Sequence, residues 1–391
     1  MKILHCVESY FPDVGGMQEV VKQLSERLVK LGHEVSVATR KLQERKHTTI
    51  NGVHIHEFDV QGNEVEGYHG ERDSYERFLL ESKYDIVTFF AAQQWATDIA
   101  LPILNSIHGK KVSVPTGYSG FFRPEYAEYF EKMKSRIHSY DMNVYLSFDY
   151  RDIQFAKDQG ITKFVVIPNG AGEDEFLAET SVDVKRELNI PHDHFLVLHV
   201  GSYTGVKGQQ EAVEIFMRSN IQHGTLLMIG NKSENYRVRY SKRPLMFLLN
   251  LRNKLFGDKK VVFKALPRQL TVAAYRQSDV FLFPSNIECS PIVLFECAAA
   301  GLPFLSNDVG NAVEISKWTG GGEIIKTTFD ERRFSHADIR DAVKKLNALY
   351  VDQRRRTEMG SISFANWKKK YSWEVIAREY ESLYQSLNTQ P

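Results

Sequence analysis

The chain has 391 residues, more than one ordinary core accommodates, so two or three domains are expected. Its 42% hydrophobic residues suffice for sizeable cores, and 50 basic against 49 acidic side chains leave almost no net charge. That balance argues against a nucleic-acid partner, and no uninterrupted apolar run of about 18 residues reads as a membrane span.

The N-terminus, MKILHCVESY, is too short in apolar residues for a signal peptide. Cys6, Cys289 and Cys297 form an odd set without the CxxC spacing of zinc or redox sites, which fits a reduced, cytoplasmic compartment. Residues 2–7 read as a buried strand and lead through a turn-rich loop to Gly15 and Gly16. MQEVVKQLSERLVKLG then places Val20, Leu24, Leu28 and Leu31 on one helical face, and HEVSVAT follows as a second strand. This is a β-α-β unit, whose strands pair parallel through a right-handed crossover. The alternation recurs at KYDIVTFFA, KKVSVPTG and KFVVIPNG, as expected of a parallel sheet covered by helices.

A second series starts after Pro168-Asn169-Gly170. FLVLHVG, QQEAVEIFMRS, TLLMIG, VVFKAL, QLTVAAYRQ, DVFLFPS and PIVLFECAAA alternate strand and helix in the same way. The expected architecture is α/β, with two Rossmann-like doubly wound domains facing across a cleft and ligands at the carboxyl ends of the strands. The domains are expected at 1–168 and 169–371, followed by a terminal helix, 372–391. That helix starts at Ser372 as N-cap and carries Trp373, Ile376, Tyr380, Leu383 and Leu387 at helical spacing. Periodicity does not tell which domain it packs on.

Chemistry concentrates in NIECSPIVLFECAAAG. Ser290 and Pro291 read as N-cap and first position of a helix ended by Gly301. The first amides, at Ile292 and Val293, would face outward, where hydrogen bonding and the helix dipole favour a phosphate. Glu296 follows about 7.5 Å along the axis, the scale of a ribose beside its diphosphate. A carboxylate embedded in Ile-Val-Leu-Phe and Cys-Ala-Ala-Ala needs a polar partner, because an unpaired buried charge is costly. Glu288, in the loop before the helix, is placed to reach a sugar beyond the phosphates.

Glu288 to Glu296 resembles the E-x7-E motif of retaining GT-B glycosyltransferases of family four, which use nucleotide sugars. CAAAGLPFLSNDVGNAVEI, VIPNGAGEDEF, HVGSYTGVKG and GGMQEVVKQLSERLVKLGHEVSVAT are similar to that family's flanking segments. The likeness is strongest between 165 and 315 and weaker between 42 and 165, where such enzymes bind varied acceptors. The resemblance implies that Glu296 holds the ribose hydroxyls and Glu288 contacts the donor sugar. Backbone around Ser290, Pro291, Ile292 and Val293 would meet the diphosphate, and Lys207 would neutralise its growing charge. Lys207 and Glu288 are thus the catalytic candidates, and Gly15 and Gly16 let the N-terminal loop approach the donor. It also implies retention of configuration without a metal or other cofactor, and a last helix crossing back to the N-terminal domain.

Two positions depart from the family pattern. Ser202 stands where an arginine usually follows the V-G, and Thr116, in VPTGYSG, where a histidine is usual, so Thr116 and Tyr118 are acceptor-side candidates. The expected partners are a nucleotide sugar, UDP favoured over GDP, and a glycan or lipid-linked acceptor. Rival expectations are a nucleotide-sugar epimerase of this architecture and a noncatalytic nucleotide-sugar sensor.

Two surface features complete the sequence. His54 and His56 alternate along VHIHEF as on a half-exposed strand, without an evident third metal ligand. Residues 236–260 place eight basic side chains around PLMFLLNL, which suits either a solvated helical insertion or a peripheral contact with the anionic inner face of the membrane.

Overall fold

The structure, a computed structural model, describes residues 1–231, 251 and 258–389. The chain divides into two compact units, Met1–Asn169 with Trp373–Pro391, and Gly170–Ser372.

In the first unit the strands are β1 (Lys2–Cys6), β2 (Glu34–Arg40), β3 (Thr49–Ile50), β4 (Val53–Phe58), the hairpin β5 (Val60–Asn63) with β6 (Gly67–Gly70), then β7 (Ile86–Phe90), β8 (Lys110–Val114), β9 (Met142–Tyr145) and β10 (Phe164–Val166). Eight of them form one sheet in the order β10-β9-β8-β7-β1-β2-β4-β3, parallel except between β3 and β4. Burial on both faces explains why β1 and β7 read as nearly continuous apolar runs. Helix Gly16–Lys30 buries Val20, Val21, Leu24 and Leu28.

The last helix, Trp373–Asn388, belongs to this first unit. Its buried Tyr384 hydroxyl lies 2.7 Å from Thr88 Oγ1 on β7. Arg27 Nη2 donates to Glu374 at 2.7 Å, and His33 Nε2 lies 3.0 Å from Glu381. An apolar stripe fixes which face is buried; these long-range polar pairs fix what it is buried against.

At the carboxyl ends of β7 and β8 the backbone is left-handed at Ala91, Gln93, Thr116, Gly117 and Tyr118. Two buried carboxylates hold these bends. Asp98 accepts from the Gln93 amide at 3.1 Å, the Glu64 amide at 3.2 Å and the Tyr129 hydroxyl at 2.9 Å. Asp152 accepts from the Gly117 amide at 2.8 Å. Burial raises Asp98 to about 7, against the pull of its hydrogen bonds. Between the ordinary carboxylate range and that value the folded chain holds a proton at Asp98 that the unfolded chain releases. Stability therefore falls as pH rises through this window, by up to about 1.4 kcal/mol per unit. Relative to Asp98→Asn, the wild type is expected to gain melting temperature as pH is lowered from 8 to 5. A pH-independent difference between the two would refute this.

The second unit contains β11 (Phe195–Val200), β12 (His223–Ile229), β13 (Asp258–Lys264), β14 (Val280–Phe283), β15 (Phe304–Asn307) and β16 (Gly322–Ile325). They form a parallel sheet in the order β13-β12-β11-β14-β15-β16. The order reverses between β11 and β14, so the loops following these two strands emerge side by side, the place where open α/β sheets bind ligands. At the start of this unit Ala171 pairs with its end. The Ala171 amide donates to the Tyr371 carbonyl at 3.2 Å, and Trp367 Nε1 donates to the Ala171 carbonyl at 3.1 Å.

Candidate active site

The loop after β11 runs from Gly201 to Gly208 and that after β14 from Pro284 to Pro291. Gly208 has φ +68°, and a Cβ there would sit 1.9 Å from the Pro284 carbonyl oxygen, so the two loops touch backbone to backbone. The Asn286 amide donates to the Val206 carbonyl at 2.9 Å, and Gln209 Nε2 to the Ser202 carbonyl at 2.9 Å. A second glycine, Gly310 at φ +56°, packs where a Cβ would come 2.3 Å from the Cys289 carbonyl oxygen. Both loops are therefore fixed by close main-chain packing.

That packing brings the two catalytic candidates together. Lys207 Nζ lies 2.6 Å from Glu288 Oε1, and Ser285 Oγ donates to the same oxygen at 2.8 Å. His199, at the end of β11, was not singled out from the sequence. It is fully buried, with Nδ1 2.9 Å from the Leu282 carbonyl. Since a carbonyl only accepts, Nδ1 carries the proton and Nε2 the lone pair, which has no partner among the described residues. Burial lowers this histidine to about 4, so it is neutral beside the Lys207 loop.

The helix after Glu288 spans Ile292–Ala300 and ends at Gly301, φ +64°. Its start is a correction by one residue: Pro291, at φ −69° and ψ 111°, is the cap, and Ile292 rather than Pro291 is the first helical position. The amides of Ile292 and Val293 still open the helix without intrahelical acceptors. Glu296 sits in the middle, its side chain 4% exposed.

The polar partner that Glu296 requires is Arg268, the first residue of helix Arg268–Gln277. Arg268 Nη1 lies 2.5 Å from Glu296 Oε1, while Nε and Nη2 grip both oxygens of Glu175 at 2.7 and 2.8 Å. The guanidinium lies over the Phe176 ring, 5.8 Å from its centroid. Burial raises the Glu296 carboxyl above its ordinary range, against the pull of the Arg268 charge and of the Tyr275 hydroxyl. Sequence reasoning missed Arg268. One signal was available, since a cation in the first turn opposes the helix dipole and implies a specific anionic partner.

In the first unit Gly15 caps helix Gly16–Lys30 in extended conformation, φ −177°. A Cβ at Gly15 would come 2.4 Å from Gln18 Oε1, whereas the Cβ position at Gly16 is open. Thr116 is half-buried, at φ 58°. Tyr118 is buried, its ring enclosed between Phe130 and Phe155 with centroids at 5.2 and 5.6 Å.

Residues 14–174 match the sequence model described as Glycosyltransferase Family 4, and residues 182–361 that described as Glycosyl transferases group 1. The chain belongs to the family-four glycosyltransferases of the GT-B fold. An uncharacterized glycosyltransferase of Methanocaldococcus jannaschii is 25% identical over 98% of either chain. Among solved structures, sucrose-phosphate synthase from Thermosynechococcus elongatus superposes with a TM-score of 0.76 at 18% identity, covering 99% of this chain and 98% of the other. Anabaena HepE in complex with UDP-glucose does so with a TM-score of 0.70 at 14% identity, covering 99% and 100%.

Two further sequence features of this glycosyltransferase resolve differently. His54 and His56 take separate partners, Thr49 Oγ1 and the Tyr84 hydroxyl, each at 3.3 Å. Among the described residues, the ligand atoms of His194, His223 and Asp258 lie within 4.8 Å of one another at the amino-terminal side of β11–β13, where His194 Nε2 is 3.1 Å from Asp258. Most of 236–260 lies outside the described residues. Lys259 is within them, and its amine donates to the Phe216, Met217 and Ser219 carbonyls at 2.9, 3.2 and 2.7 Å, closing the end of helix Gln209–Arg218. Lys259 therefore caps a helix, as cations at helix C-termini do.

Proposed function

We propose that this glycosyltransferase moves a sugar from a nucleotide donor, a UDP-sugar in preference to a GDP-sugar, to a glycan or lipid-linked glycan acceptor with retention of configuration. The observation that carries this is Lys207 beside Glu288 at the carboxyl ends of β11 and β14, directly before the helix that bears Glu296. HepE in complex with UDP-glucose supports the choice of donor.

Cleavage of a sugar from a nucleoside diphosphate develops negative charge on the leaving phosphate. Preorganised donors aimed there supply the largest catalytic term. Lys207 and the amides of Ile292 and Val293 are those donors, Glu288 faces the sugar and Glu296 accepts from the ribose hydroxyls. Ser202 leaves one usual cation out, so Lys207 carries more of the phosphate charge. No step in this scheme calls for a metal, and the departing phosphate takes the acceptor proton. The basic and apolar residues of 236–260 suit either a solvated insertion or an acceptor presented at an anionic membrane face.

Thermal shift with UDP, GDP and their sugars, followed by incubation of labelled donors without acceptor, tests this. UDP at about 100 times its dissociation constant is expected to stabilise the protein by about 2.7 kcal/mol, with GDP weaker. Slow release of free sugar fits a transferase. An isomeric sugar would mark an epimerase, binding without turnover a sensor, and no nucleotide binding at all would overturn the proposal.

A further inference from the structure

Arg268 is one member of a three-residue ion cluster whose other members come from separate helices. Glu175, on helix Glu173–Phe176, occupies Nε and Nη2, and this bidentate grip directs Nη1 at Glu296. The groups facing Glu296 are Arg268 and Tyr275 from one helix, Glu175 from another and Cys297 on its own. Tyr275 and Cys297 are neutral, both pushed upward by burial, and Glu175 is taken up by Arg268 through both oxygens. Arg268 is the cation of the group.

We propose that Arg268 is a positioning residue for nucleotide binding: its guanidinium, anchored on Glu175, keeps the enclosed Glu296 carboxylate ionised and oriented to accept from vicinal ribose hydroxyls. This rests on the ribose role given to Glu296 above. An ionised carboxyl offers only acceptors, as two hydroxyl donors require, whereas a protonated one spends an oxygen as donor. In the wild type burial holds the carboxyl above its ordinary range, and the Arg268 charge limits that rise. Without Arg268 the carboxyl titrates at higher pH, so it is protonated on the acid side and regains its acceptor character as pH rises. Lysine at this position keeps charge but loses the planar fork that engages Glu175 and Glu296 together.

Titration calorimetry with UDP from pH 5.5 to 8.5, on the wild type, Arg268→Ala, Arg268→Lys and Glu296→Gln, decides the matter. Affinities are taken as ratios to wild type, which removes the titration of UDP itself. Arg268→Ala is expected to bind at least about tenfold more weakly at pH 6 and to recover towards pH 8.5, and Arg268→Lys to lie between it and wild type. Glu296→Gln is expected to bind weakly at every pH. A flat ratio near one for Arg268→Ala, with Glu296→Gln weak, overturns the role of Arg268 and leaves the ribose assignment standing. Wild-type affinity in Glu296→Gln overturns the ribose assignment and the inference with it. If Arg268→Ala does not fold, Arg268→Gln serves instead, since it removes the charge and keeps much of the side chain; the same sign of pH dependence is expected, and an unchanged profile counts against the proposal.

Discussion

Lys207→Ala is expected to lower turnover by about 100-fold or more with a modest loss of stability. Removing one preorganised donor to a developing oxyanion typically costs about 100- to 1000-fold. Here the lost donor is charged, and Ser202 stands where the family pattern has a second cation. The stability cost is limited because the pair is not sealed from water: Lys207 and Glu288 side chains are 25% and 12% exposed, and Ser285 still donates to Glu288 in the variant. Lys207→Arg, which preserves charge, is expected to retain more activity than alanine. Steady-state turnover of the donor together with the melting temperature checks this. Wild-type turnover in a folded Lys207→Ala would move the phosphate site away from Lys207.

The parts legible in the sequence are those set by short-range rules. Parallel strands buried on both faces must be apolar throughout, so FLVLHV and IVTFF announced themselves, and Gly301 marked the end of its helix, where the backbone is left-handed. Glu296 was conspicuous because an apolar helix gives a carboxylate no solvent. Its partner was not legible, since nothing local links Glu296 to Arg268 or Glu175, which come from other helices. For the same reason periodicity exposed the stripe of Trp373–Asn388 but not Arg27, His33 and Thr88 that receive it. The burial of Tyr118 was not legible either, because the likeness carried by VPTGYSG concerns chain position and not packing. In the structure φ 48° directs the chain so that its ring joins Phe130 and Phe155.

Gly208→Ala is expected to destabilise the second unit by about 2 to 5 kcal/mol and to impair nucleotide binding with it. Left-handed backbone costs an L-residue about 1 to 2 kcal/mol, and forced overpacking adds typically 1 to 3. The added Cβ would meet the Pro284 carbonyl oxygen at 1.9 Å, its carbon at 2.3 Å and the Ser285 nitrogen at 3.0 Å, all main chain, so no side chain can swing aside. The loop that must yield is the one bearing Ser285 and Glu288, and Asn286, whose amide pairs with the Val206 carbonyl one residue before Lys207. Pushing the loops apart therefore lengthens the contact between Lys207 and Glu288 as well as costing stability. Gly205→Ala is the control, because Gly205 is left-handed at φ +88° with nothing within 4 Å of its Cβ position. It is expected to lose only the conformational cost, about 1 to 2 kcal/mol, and to keep nucleotide affinity. Denaturant midpoints and UDP affinity measured on both variants separate the two effects: equal losses would show that left-handed backbone alone, and not the approach of Gly208 to Pro284, sets the cost of the substitution.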